Sequence, residues 1–241
     1  MRVDKLLSHL GYGSRKDVKN LLKKGLFSVN GKTVKEGKVH VNPKEDELVL
    51  SGEHLEYRSY IYLMMNKPAG VLSATEDHAQ STVLDLLTED DRLFEPFPVG
   101  RLDKDTTGML LLTNDGKWAH SISSPKRKVN KTYQVILSEP ITEGMIQALE
   151  DGVLLDDGYQ TLPAEVKIPD SNESFHKVHI IIQEGKYHQV KRMFAAVGNH
   201  VRQLKRLKIG DVSLDQSLQP GEYRELTEEE IFLSGQVSED E

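Results

Sequence analysis

Apolar positions in the first fifty residues recur at helical spacing. Val3, Leu6, Leu7 and Leu10 fall on one face of a predicted first helix, and Val18, Leu21 and Leu22 on one face of a second. Ser14, with Asp17 three residues on, has the form of a capping box that opens the second helix, and Gly25 ends it. Leu26-Phe27-Ser28-Val29 then predicts a strand, and Asn30-Gly31 a tight hairpin turn. Residues 1–50 thus predict a small α/β unit of two helices and a hairpin. The polar stretch 51–60 (SGEHLEYRSY) predicts a linker.

From residue 61 the pattern changes to short strand-like runs: Ile61–Met65, Met109–Thr113, Tyr133–Leu137, Val178–Ile182 and Val212–Leu214. Ile141–Leu149 and Tyr187–Val197 read as helices stopped by Gly152 and Gly198. Thr227-x-x-Glu230 has the form of a last capping box. Strands outnumber helices and lack a βαβ rhythm, which predicts an α+β fold with a mixed, largely antiparallel sheet flanked by helices and loops. The larger domain is expected over 61–233, with an acidic tail at 234–241.

Composition narrows the classes. The 241 residues are 37% hydrophobic and 29% charged, which argues against wholesale disorder. With no cysteine, disulfides, thiolate metal sites and cysteine nucleophiles are excluded. No apolar run is long enough to span a bilayer, and the start lacks the apolar stretch of a secretory signal, so a cytoplasmic protein with no membrane association is expected.

The net charge of −7 hides an asymmetry. Residues 1–50 carry 11 Lys+Arg against 6 Asp+Glu, whereas residues 222–241 carry 1 against 8. Segment 186–208 holds seven basic residues and 117–131 holds five, neither with an acid. Clustered cations of this kind are the footprint of a polyanionic partner, against the alternative of solvated helix faces.

The densest chemistry lies in Gly100-Arg101-Leu102-Asp103-Lys104-Asp105-Thr106-Thr107-Gly108, an acidic, hydroxyl-rich loop directly before an apolar strand. Loops held by rigid strands are where catalytic side chains tend to sit, although such clusters also serve only to satisfy turn backbone. Asp103, Asp105 and Thr107 match the Asp-x-Asp-x-Thr pattern of Mg²⁺-dependent phosphatases of the haloacid dehalogenase superfamily. That motif follows an apolar strand, whereas here Pro96, Pro98 and Gly100 precede it, so this reading is the weaker one.

Two resemblances extend further. RVDKLLSHLGYGSRKDVKNLLKKGLFSVNGKTV resembles the S4 RNA-binding domain, which implies RNA contacts at Arg15, Lys16, Lys19, Lys23 and Lys32. GRLDKDTTGMLLLTNDG, with NKPAG at 66–70, KTY at 131–133 and EGKYHQVKRMF at 184–194, resembles the pseudouridine synthases. More narrowly, it is similar to the RsuA type, which modifies a uridine of small-subunit ribosomal RNA. GEYR at 221–224 extends the likeness to near the end of the chain, and WAHSI at 118–122 and VGNH at 197–200 favour that branch. The alternatives are a synthase of large-subunit rRNA and a non-catalytic rRNA-binding assembly protein.

The resemblance implies a reaction needing neither cofactor nor metal: the ribose C1′–N1 bond breaks, the uracil turns, and C1′ is rejoined through C5. It implies Asp103 as the indispensable carboxylate, acting as nucleophile or charge stabiliser at sugar or base. A buried carboxylate stays ionised only beside a cation, and Lys191 occupies the matching basic position. On a helix, Lys191 flanks the buried stripe of Val190, Phe194 and Val197 together with Tyr187 and Ala195, with Arg192 and His188 further round towards phosphates. Tyr133 matches the active-site tyrosine, Leu204 the apolar residue closing on the base, and Arg206 a structural or phosphate-contacting partner beside it. Arg101 would fill the space left by a flipped uridine. Phosphate contacts are expected from the segments 117–131, with Lys126, Arg127 and Lys128, and 186–208, with Arg192. The implied partner is small-subunit rRNA or an assembling ribosomal particle, and a monomer is the simpler expectation.

Overall fold

The computed structural model describes residues 1–43, 45–55, 57–169 and 175–234. All of the expected acidic tail beyond Ser234 lies outside the described residues. The chain forms two compact units, Met1–Ile61 with Thr88–Glu95, and Tyr62–Leu87 with the chain from Pro96 onward.

The first unit contains α1 (Val3–His9), α2 (Arg15–Lys23), β1 (Phe27–Val29), β2 (Lys32–Thr33), β3 (Leu48–Leu50), β4 (Glu53–His54) and the short α3 (Glu89–Arg92). The capping box at α2 is formed: Ser14 N–H donates to the Asp17 carboxylate at 3.0 Å, and Asp17 N–H to Ser14 Oγ at 3.4 Å. Asn30 and Gly31 have φ of 51° and 73°, the left-handed pair that lets a two-residue turn join β1 and β2 along the strand twist. Val3, Leu6, Leu7, Val18, Leu22, Phe27, Leu48 and Leu50 fill the core.

The 51–60 stretch is not simply a linker. Ser51-Gly52, also at positive φ, turns β3 into β4, which pairs with it in the antiparallel sheet β2-β1-β3-β4. Leu55 and Tyr57 pack against the core of this unit.

The second unit holds β5 (Tyr62–Lys67), β6 (Phe97–Pro98), β7 (Thr107–Thr113), α4 (Gly116–Ser123), β8 (Lys131–Leu137), α5 (Glu143–Asp151), β9 (Glu165–Lys167) and β10 (Lys177–Ile182). It continues with α6 (Gln189–Ala196), β11 (Val201–Ile209), β12 (Val212–Ser213), β13 (Tyr223–Glu225) and α7 (Glu228–Ser234). The main sheet runs β13-β5-β7-β11-β8-β10-β9, with β12 on β11 and β6 on β7. Its strand pairs are antiparallel except β7 with β11. The α+β expectation and the largely antiparallel sheet are both met.

That parallel seam depends on Gly108. A Cβ there would lie 2.2 Å from the backbone oxygen of Arg206, and φ is +97°, so glycine alone admits β11 at this point. Met64, Met109, Leu111, Ala119, Ile122, Val129, Ile209 and Val212 form one core cluster of the unit. Thr227 and Glu230 cap α7 reciprocally, as the spacing predicts.

Two expectations need correction. The helix expected from Tyr187 begins at Gln189, because His188 takes left-handed φ and ψ of 49° and 33° and breaks the helical path. Tyr187 therefore lies outside α6, 76% exposed, and does not share a helical flank with Lys191. The basic stretch 201–209, for which no strand was expected and whose cations were expected at phosphates, is the interior strand β11.

Candidate active site

The loop between β6 and β7 carries Asp103, and three neighbours hold its backbone. The Ser73 hydroxyl donates to the Leu102 carbonyl at 3.0 Å and accepts from the Leu102 N–H at 3.1 Å. Gly70 N–H donates to the Lys104 carbonyl at 2.8 Å. Lys67, at the end of β5, is fully buried and its ammonium donates to the carbonyls of Pro68, Lys104 and Thr106 at 2.9, 3.2 and 3.0 Å. Burial pushes this lysine down to about 8, against the opposing pull of Asp105 and Asp103. A buried cation bound to loop carbonyls on both sides of Asp105 thus fixes the segment immediately after Asp103.

Lys191 reaches the loop from the first turn of α6. Its Nζ lies 3.2 Å from Asp103 Oδ2 and 2.6 Å from Asp105 Oδ1. Burial opposes its charge, but hydrogen bonds to Asp105 and Asp103 outweigh this and lift its pKa above the usual lysine range. The same hydrogen bond holds the Asp105 carboxyl below the usual carboxylate range. The expected Asp103–Lys191 pair is present, but the ammonium is shared and sits closer to Asp105.

Arg101, Leu102, Asp103, Tyr133, Ile182, His188 and Leu204 are among the residues around one pocket of about 400 Å³. Tyr133 and Leu204 are only 7% exposed, so each presents an apolar wall rather than a solvated side chain. Arg101 is exposed at the mouth. His188 was expected to face phosphates. Its left-handed backbone instead turns the ring, stacked on Tyr187, into the pocket, with Nε2 3.6 Å from Asp103 Oδ1.

One further assignment is narrowed and one changes. Arg206 lies on the pocket side of the sheet but does not line the pocket: it pairs with Tyr133 across β11 and β8, is 3% exposed, and donates through Nε to the Met109 carbonyl at 2.7 Å, which fits the structural of its two expected roles. Its Nη2 has no partner among the described residues. Burial and Arg206 together push Lys131 down to about 8. Arg206 is a structural cation beneath the site. Arg192, expected to contact phosphate, is occupied by Asp156 and Asp157, the latter at 2.7 Å.

Of the expected RNA contacts, Arg15, Lys16, Lys19, Lys23 and Lys32 are all exposed. Arg15, Lys19 and Lys23 line a groove of the first unit together with Arg2, Lys35 and Lys38. Lys126, Arg127 and Lys128 are exposed in and just after a 3₁₀ turn over Pro125–Arg127.

The pattern of residues did not single out Lys67, Ser73 or the pairing of Asp105 with Lys191. Nor did it reveal Glu184, which accepts from Tyr159, from Leu162 N–H at 2.9 Å and from Gln189 at 2.8 Å, tying the 159–162 segment to the start of α6. Lys67 did stand in a quoted motif, NKPAG, and that was its signal.

The phosphatase reading fails on the donor set and on kinship. Asp103 and Asp105 share an ammonium, and the described residues contain no group of three His, Asp or Glu side chains placed to hold a metal ion.

Comparison with known proteins gives the kinship. The S4 domain description matches residues 1–47, and the RNA pseudouridylate synthase description matches residues 61–196. The chain is 56% identical over 233 residues to the uncharacterised RNA pseudouridine synthase YtzG of Bacillus subtilis, covering 97% of this chain and 98% of the other. It is 45% identical to the ribosomal small subunit pseudouridine synthase A of Vibrio vulnificus, covering 96% and 98%. A crystal structure of a pseudouridylate synthase superposes with a TM-score of 0.68 at 39% identity, covering 97% of this chain and 99% of that one. With its clamped acidic loop, its pocket and this likeness over nearly the whole length, the chain belongs to the RNA pseudouridine synthase family.

Proposed function

We propose that the protein converts a uridine of small-subunit ribosomal RNA to pseudouridine, with Asp103 as the acting carboxylate. The observation that carries this reading is the Asp103–Lys191 contact of 3.2 Å at a pocket walled by Tyr133 and Leu204. The substrate class follows the named relatives at 40–45% identity over nearly full length.

The chemistry is an isomerisation. The C1′–N1 bond breaks, a C1′–C5 bond forms, the C5 proton leaves and N1 gains one. A stacked uridine hides these atoms, so the base must leave the helix, at a cost of roughly a few kcal/mol. Tyr133 and Leu204 offer walls for the extruded ring, and Arg101 stands at the mouth to take the vacated place. Lys191, 3.2 Å from Asp103, adds a positive charge beside the place the ribose takes, where water is partly excluded and electrostatic stabilisation counts most. The Tyr133 ring stacks on the base or its hydroxyl assists proton movement at C5. Exposed Arg15, Lys16, Lys19, Lys23 and Lys32 serve as phosphate contacts of the S4 domain. The protein acts as a monomer in the cytoplasm, where assembling ribosomal particles are found. Among the described residues no helix is long and apolar enough to cross a membrane.

The test uses rRNA transcripts labelled with tritium at uracil C5, because the label leaves only when C5 becomes the glycosidic carbon. The wild-type protein should release tritium from small-subunit rRNA and from no large-subunit transcript. Asp103→Asn should release none while keeping RNA affinity within a few-fold. Release from large-subunit rRNA alone would overturn the substrate, and an active Asp103→Asn protein would overturn the role of the carboxylate.

A further inference from the structure

β8, β10 and β11 each present two faces, and the register states which residues share them. Arg206 pairs with Tyr133 and Tyr133 with Ile180, one rung on the side of the pocket. One step along each strand, Lys205 pairs with Gln134 and Gln134 with His179, so this rung points to the opposite side. Lys208 pairs with Thr132 beside it. These side chains, with Lys177 and the 213–218 segment, line a groove of about 1230 Å³. The basic 186–208 segment is therefore divided: Lys191 serves the front of the sheet, Lys205 and Lys208 the back.

The back groove has a consistent chemistry. Lys177, Lys205 and Lys208 bring three ammonium groups to it, all on half-buried residues. Among the described residues Asp215 is its one lining carboxylate, and it is already compensated: Arg224 lies at 2.6 Å, and the Ser217 hydroxyl donates to it at 2.7 Å. Asp211 stands 3.4 Å from Lys208 as a partly exposed pair, which neutralises it only weakly. Burial and the neighbouring Lys177 hold the His179 imidazole below its usual value, so near neutral pH it enters as an uncharged hydrogen-bonding group. Thr132 and Gln134 add neutral polar groups, and among the described residues no Phe, Tyr or Trp lines the groove. A site that stacks bases needs aromatic rings. One that holds phosphates and ribose hydroxyls needs cations and neutral donors.

We infer that this groove binds the sugar–phosphate backbone of the same RNA whose uridine enters the front pocket, an inference that rests on RNA being the substrate. A short fragment around the uridine reaches the front alone. A longer RNA passes the sheet and reaches both faces.

The test compares the wild type with a Lys177→Gln/Lys205→Gln/Lys208→Gln variant on a short target hairpin and on the full small-subunit rRNA transcript, over a range of salt. With the transcript, affinity should fall at least about tenfold, and the slope of log K against log salt should become shallower by about two to three. With the hairpin, affinity and slope should match the wild type. Wild-type behaviour of the variant on the transcript would overturn the inference. A second measurement needs no variant: in the wild-type protein the transcript should shield Lys177, Lys205 and Lys208 from an amine-acylating reagent, and the hairpin should not. Wild-type protein that modifies the transcript with these lysines unshielded overturns the groove alone. Protein that binds and modifies no RNA overturns the function itself.

Discussion

Gly108 lies so close to Arg206 that a single added methyl carbon would sit 2.2 Å from the Arg206 carbonyl oxygen. The contact joins β7 to β11 immediately after the acidic loop, at a backbone φ of +97°. Gly108→Ala would both strain the backbone and push β11 away. A destabilisation of at least about 3 kcal/mol is expected, the sum of the usual costs of a disallowed φ and of overpacking. Urea unfolding of purified protein checks it. A loss below about 1 kcal/mol would mean that the seam yields easily.

Lys191 is the counter-ion of two carboxylates, so its removal should show in the rate. Lys191→Met is expected to lower the single-turnover rate by about 10²-fold or more while RNA affinity stays within a few-fold. A rate within a few-fold of the wild type would place the charge stabilisation elsewhere.

The buried Lys67 gives a stability signature of opposite direction to an ordinary ion-paired lysine. Its pKa is depressed to about 8 from the usual 10.5, chiefly by burial. Between those two values the unfolded chain binds more protons than the folded one, so this group favours folding increasingly as pH rises from about 8 towards 10.5. The stability of wild type minus that of Lys67→Met should therefore increase over this window in denaturant titrations. A flat difference would mean that Lys67 folds with an ordinary pKa.

Asp105 works in the other sense. Its lowered pKa, due mainly to the hydrogen bond from Lys191, contributes stability that is present above the usual carboxylate range. That contribution disappears as pH falls through the lowered folded value. Asp105→Asn should lose it at neutral pH and flatten the acid side of the stability curve, which thermal melts between pH 2 and 6 would show.

Arg192 is held by Asp156 and Asp157, both well exposed. Arg192→Ala should cost at most about 1 kcal/mol of stability, as surface ion pairs do, and leave the salt dependence of RNA affinity unchanged. A shallower salt slope would restore Arg192 as a phosphate contact.

Local signals proved the most legible part of the sequence. Ser14 with Asp17, Asn30-Gly31 and Thr227 with Glu230 each specify a short-range geometry, and each is formed. Ser51-Gly52 was an equally good turn signal, but the polar residues around it masked a two-residue strand. β11 escaped for another reason. Register shifts between Val201 and Gln203 and between Arg206 and Lys208 break its alternation, and its cations suggest a surface although Arg206 is buried. Asp103, Tyr133, Lys191 and Leu204 were legible as a motif, and they do meet around one pocket or at its rim. Lys67 was not, because what makes it special is the closure of Lys104 and Thr106 over it, some forty residues further along the chain. The place of His188 turned on one left-handed residue that moved the start of a helix by two residues.

The divided attention of the Lys191 amine has an electrostatic consequence. Because Asp105 holds it at the shorter distance, the ammonium retains a carboxylate neighbour that does not depend on its contact with Asp103, and no lone cation is left in a half-dry crevice if that contact is given up.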